Sequence, residues 1–157
     1  MSNRHAVQDR LHKDNPIRGC YGCGADNPDG LHLKSFMEGD ELVGRWRPQE
    51  HHHAYPGFLN GGIAATLIDC HSAWTAFVME CREKGLDIET TEAGTLPAGV
   101  TRAMTIEFLK PAAMNGELVL RSKVINKGRK SRTVACSLYV NDDECVRGEV
   151  TIVMANL

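Results

Sequence analysis

Residues 61–81, GGIAATLIDCHSAWTAFVMEC, constrain this chain more than any other stretch. Wound as an α-helix, they place Ile63, Leu67, Cys70, Trp74, Phe77, Val78 and Cys81 on one apolar stripe. The opposite face carries Ala65, Asp69, Ser72, Ala73 and Ala76. A solvated helix face shows long charged side chains, whereas small ones let a second backbone come close. Both sides of this helix are therefore expected to be covered. Asp69 is the sole formal charge between Gly61 and Met79. An unpaired carboxylate among alanines is costly to bury, and such surroundings raise an acid's pKa toward the range useful for proton transfer. Asp69 is thus the first candidate for catalysis, as base or nucleophile. The competing reading is a buried acid satisfied by a backbone amide or by Ser72.

The flanking sequence supplies what packs on the apolar stripe. Residues 1–18 are polar and weakly helical up to Pro16, and CYGCGADNPDGLHL reads as turns. Two short strands are expected at 31–37 and 41–46, then a loop carrying HHHAYPGFLNGG into the helix. Residues 82–99 form a long polar loop with a helical extension at its start. Four strands follow at 100–109, 117–126, 131–140 and 145–154, joined by KPAAMNG, KGRK and NDDE. The reading is α+β: a polar segment over 1–18, then a single domain over 19–157, with one long helix on an antiparallel sheet of five to six strands. The sheet can cover the apolar stripe only. The alanine-rich face needs a second partner, and self-association supplies one, as a two-fold dimer or a dimer of dimers.

Several function classes are excluded as expectations. A net charge of −2 gives no attraction to nucleic acid or to an anionic membrane. No apolar run approaches the roughly 18 residues of a spanning helix, and MSNRHAVQDRLHKDNP lacks the apolar region of a secretory signal, so a cytoplasmic protein is expected. Reduced thiols follow for the six cysteines; Cys70, Cys81 and Cys136 sit in apolar segments as small hydrophobes. Cys20-x-x-Cys23-Gly resembles half of a zinc knuckle, but a structural zinc takes four ligands and no second pair exists. Cys145 and His32 offer completion without supporting spacing. Neither metal nor cofactor is expected.

On these motifs the chain resembles the hotdog-fold acyl-CoA thioesterases, in particular the phenylacetate-pathway type. The resemblance runs from about Cys20 to Met154. It rests on the entry YPGFLNGG, the helix start GGIAATLID, the strand VTRAMTIEFLKPA, the basic hairpin KGRKSR and the closing strand. Its core is a Gly-Gly pair followed by an acid seven residues after the second glycine, met by Gly61, Gly62 and Asp69. Similar members carry His, some Gln, before the Gly-Gly pair, where this chain has Asn60. Several carry an Asn where it has Ala54, and His52 falls on a recurrent histidine. The resemblance implies a hotdog fold, one helix wrapped by a curved sheet, and hydrolysis of an acyl-CoA at a dimer interface, with CoA only as part of the substrate.

The chemistry can be assigned on that frame. A helix start offers unpaired N–H groups and a positive dipole end to a developing oxyanion, and Gly61 and Gly62 leave those amides bare. Asn60 can donate a further hydrogen bond through its amide. Gly61 and Asp69 lie eight residues apart, about 12 Å along one helix, whereas reacting groups meet at about 3–3.5 Å. Two groups serving one thioester must therefore come from different protomers. Lys127, Arg129, Lys130 and Arg132 form the dense basic run suited to CoA phosphates, with Arg129, Lys130 and Arg132 chosen as binding residues. A solvated hairpin is the plainer alternative. His71 can reach the acyl pocket or pack in the core, and His52 can orient Asp69 or water. A non-catalytic acyl-CoA or aromatic-ligand binder is the rival function. A hydratase ranks last, because its Asp/His pair about five residues apart is absent.

Overall fold

The computed structural model describes residues 5–155. It contains two α-helices, α1 (Val7–Arg10) and α2 (Gly61–Lys84), and eight strands: β1 (Lys34–Glu38), β2 (Glu41–Trp46), β3 (His53–Tyr55), β4 (Phe58–Leu59), β5 (Ala98–Phe108), β6 (Leu118–Lys127), β7 (Ser131–Val140) and β8 (Asp143–Ala155). Six strands form one antiparallel sheet in the order β1-β2-β6-β7-β8-β5. The β3–β4 hairpin stands apart within the loop that leads into α2.

The sheet wraps α2 because its inward side is apolar. β7 alternates strictly, with Val134, Cys136, Leu138 and Val140 buried. The β7–β8 turn is two residues, Asn141 and Asp142, both at positive φ, the geometry that a tight hairpin needs. α2 buries Leu67, Ile68, Val78 and Cys81, and also Cys70 and Trp74, which meet the 20–24 turn. The helix ends where Gly85 turns left-handed (φ 65°) and Leu86 N–H bonds back to Cys81 O at 2.9 Å.

Three features differ from the expectation. Ser72 and Ala76, placed on the uncovered face by simple periodicity, are buried toward the sheet; Ser72 lies against Cys136. The open face of α2 instead includes Gly62, Ala65, Thr66, Asp69, Ala73 and Phe77. The polar segment at the N-terminus is also built in: Val7 and Leu11 join the same core as Leu33 and Leu42. The expected strand at 31–37 begins only at Lys34, because Leu31 and Leu33 run as a loop beside the 20–24 turn, their N–H groups bonding Tyr21 O and Gly22 O.

Candidate active site

Asp69 sits at mid-helix, half-buried, flanked by the half-buried Ala65 and Ala73. Thr101 Oγ1 donates to Asp69 Oδ1 at 2.6 Å, so the partner is neither a backbone amide nor Ser72. Thr101 lies on β5, the edge of the sheet, which has a strand neighbour on one side only among the described residues. A bulge between Thr101 and Ala103 sets its direction. Thr101 pairs with Ile152, Met104 with Val150 and Phe108 with Val146, and all three partners are core residues. Cross-strand partners share a face, so Thr101, Met104 and Phe108 all lie on the helix side of the sheet. Sequence reasoning missed Thr101 because unbroken alternation assigns residue 101 to the side opposite 104 and 108.

The other end of the site is the start of α2. Asn60 is the N-cap: its Oδ1 accepts from Gly62 N at 2.9 Å and from Ile63 N at 3.3 Å. This corrects the expectation for Gly62, whose amide is already committed. Gly61 N–H and the Asn60 side-chain NH2 keep no hydrogen-bond partner among the described residues. Gly61 also faces Phe108; a Cβ added there would lie 3.3 Å from the ring. Asp69 with Thr101 at one end, and Gly61 with Phe108 at the other, thus frame one surface shared by α2 and β5.

The histidines do not join that surface. His71 is fully buried: Nε2 meets Leu42 O at 3.0 Å, and Nδ1 meets Ser35 Oγ at 3.0 Å. A carbonyl only accepts, so Nε2 carries the proton and Nδ1 receives the serine hydroxyl. Ser35 Oγ in turn accepts from Gln8 Nε2 at 3.1 Å. The chain Gln8–Ser35–His71–Leu42 is closed, and His71 has no nitrogen left for substrate. Burial pushes its pKa down to about 4. His52 is buried beside Trp46 (ring centroids 5.0 Å apart), and its Nδ1 accepts from Gln49 N at 2.9 Å. Burial, with His51 beside it, lowers its pKa. Its link to the site is the backbone: His52 O accepts from Asn60 N at 2.9 Å and fixes the cap.

The basic hairpin between β6 and β7 divides into spent and free cations. Arg132 is buried, ion-paired with Glu80 and bonded to Gly128 O and Ser131 O, so it is not free for phosphate. Burial works against the charge on Glu80, but Lys84 and Arg132 outweigh it and hold the carboxyl below its usual range. Lys127 pairs with Glu83. Arg129 and Lys130 stay exposed, with no ion pair among the described residues. The structure also brings Cys70, distant in sequence, to the thiols of Cys20 and Cys23.

One buried helix on a six-stranded antiparallel sheet, with a lone acid at mid-helix, is the hotdog arrangement. The sequence profile of the Thioesterase superfamily matches residues 56–146, which hold the helix, its entry and four of the six main strands in whole or part. This chain belongs to that family of thioester hydrolases. Mouse acyl-coenzyme A thioesterase 13 is 27% identical over 90 residues, 57% of this chain and 54% of the relative, so the chain spans about half the length of that protein. A crystal structure of a thioesterase superfamily protein from Shewanella loihica is 30% identical, with a TM-score of 0.62 over 77% of this chain and 89% of that one. A phenylacetic acid degradation-related protein from Ralstonia eutropha shares the fold at 19% identity, with a TM-score of 0.62 over 78% and 85% of the two chains.

Proposed function

We propose that the chain is an acyl-CoA thioesterase whose site is shared by two protomers, with Asp69 of one facing the start of α2 of the other. The observation that carries this reading is the half-buried Asp69, hydrogen-bonded by Thr101, on a small-residue helix face beside an unpaired edge strand. An exposed eleven-residue edge strand invites pairing. Two β5 strands paired antiparallel about a two-fold axis would set the two α2 helices side by side and reversed. Asp69 would then approach Gly61 of the partner subunit. The name of the mouse relative supports the acyl-CoA class of substrate.

In the reaction, the thioester carbonyl lies against the free Gly61 N–H and the Asn60 NH2, which stabilise the oxyanion as it forms. Water adds to the carbonyl carbon while Asp69 takes its proton; the C–S bond breaks and the departing thiolate is protonated. An acyl-aspartate formed by direct attack, then cleaved by water, gives the same products. Arg129 and Lys130 meet the CoA phosphates. No metal takes part in this scheme. A binding protein without turnover is the second reading. It is favoured by Asn60, whose oxygen occupies two of the helix-start amides that an oxyanion would use.

Thiol release from short, medium and aromatic acyl-CoAs separates the two. Turnover by wild type, falling by about 10³-fold or more in Asp69→Asn, is the expected result, on the scale of losing a positioned base. Acyl-CoA binding with equal background hydrolysis in both proteins would establish the binding module instead.

A further inference from the structure

The thiols of Cys20, Cys23 and Cys70 take no part in the reaction proposed above, yet the fold brings them together from positions up to 50 residues apart. Cys20 and Cys23 lie in the turn before β1, and Cys70 on α2. Cys20 Sγ and Cys70 Sγ are 3.9 Å apart, and all three sulfurs lie within 4.8 Å of one another. Thiolates at about 2.3 Å from one zinc ion occupy tetrahedral corners about 3.8 Å apart. The Cys20–Cys70 pair matches that spacing, and no sulfur pair exceeds 4.8 Å.

The surrounding backbone is shaped around the sulfurs. A Cβ added at Gly22 would lie 2.4 Å from Cys70 Sγ, so only glycine lets the turn press onto that thiol. Gly24 N–H closes the turn on Cys20 O at 2.9 Å, and a Cβ there would lie 2.4 Å from Arg18 O. An N–H donor also reaches the cluster: Trp74 Nε1 donates to Cys23 Sγ at 3.1 Å. Such a donor stabilises sulfur in its anionic, ligating form.

We infer that Cys20, Cys23 and Cys70 form a three-thiolate site for a thiophilic cation of the zinc class. Binding forms three metal–sulfur bonds, releases the thiol protons and changes no oxidation state. With three protein ligands the fourth tetrahedral position goes to water, and half-exposed Cys20 marks where the cluster meets solvent. The ion would tie the Cys20–Gly24 turn to α2, one residue from Asp69. Unlike Cys20-x-x-Cys23 read alone, the assembled site lacks a single protein ligand rather than two.

The test uses the full, reduced protein. Zinc(II) is titrated against a chromophoric chelator, and cobalt(II) is followed by its thiolate charge-transfer absorption. One ion per chain is expected, with that absorption present. Cys20→Ser, Cys23→Ser and Cys70→Ser should each weaken zinc binding by about 100-fold or more, at or above the range of lost outer-shell support. Cys145→Ser, outside the cluster, should bind like wild type. If the more buried Cys70→Ser fails to fold, Cys20→Ser decides. Zinc uptake equal in wild type and Cys20→Ser overturns the proposal. So does a reduced wild type that takes up no zinc, including one that on air oxidation loses two mass units to a disulfide within the cluster. None of these readouts depends on thioester turnover, so the site can fail while the hydrolase reading stands.

Discussion

Asp69 is held by a hydrogen bond from Thr101 Oγ1 at 2.6 Å. A bond to a carboxylate contributes about 1.5–3 kcal/mol, so Thr101→Val should lower kcat by about tenfold or more while Thr101→Ser keeps most of it. Steady-state kinetics on an acyl-CoA substrate measures this, and an unchanged kcat in the valine variant would show that Thr101 does not position the acid. His71 tests a different property. Its pKa is about 4 in the fold against 6.5 in the open chain, so between those values the unfolded state binds a proton that the native state refuses. Stability is therefore flat above pH 6.5 and falls as pH drops through that window, by about 3 kcal/mol in all. His52, also depressed by burial, acts in the same direction. Urea unfolding at pH 7, 6 and 5 should show the decline; equal midpoints would contradict it. At this scale Asp69 was legible, because a lone charge in an apolar helix is visible without coordinates. Thr101 was hidden by the bulge at Thr101/Ala103, and the closure of His71 depends on Gln8 and Ser35, contributed by distant segments.

Elements meet at tolerances that the sequence does not display. β2 passes α2 so closely at Gly44 that an added Cβ would lie 2.9 Å from His71 Nδ1 and 3.1 Å from Leu120 Cβ. Neither neighbour is the free end of a flexible chain. Gly44→Ala should therefore cost about 1–3 kcal/mol of stability, the usual penalty of overpacking, read from urea denaturation. An unaltered midpoint would mean that the β2–α2 contact gives way easily. The long helix and the four C-terminal strands were readable because their periodicity is local. The basic hairpin was not readable as two classes of cation. Arg132 lies two residues from Lys130, but its partner Glu80 is 52 residues away on α2. The same limit hid the third thiol of the Cys20/Cys23 turn.

Across the whole molecule, the surfaces left open belong together. β5 exposes Met104 and Phe108 on its helix side, and the adjoining face of α2 leaves Gly62, Ala65, Asp69 and Ala73 partly open. A second copy of the chain covers both at once, extending the sheet and pairing the helices. The sequence implied this partner through alanines where a solvated helix would carry lysine and glutamate. It could not show that β5 is the sheet edge, because strand order is a property of the fold. The most direct test mixes two inactive proteins, Asp69→Asn and Gly61→Val, under conditions where protomers exchange. In a mixed dimer one site carries both changes and the other carries neither. Random exchange between equal amounts should therefore restore about a quarter of wild-type turnover, as two-fold symmetry requires. Verified mixed dimers that remain as inactive as either parent would contradict the shared site.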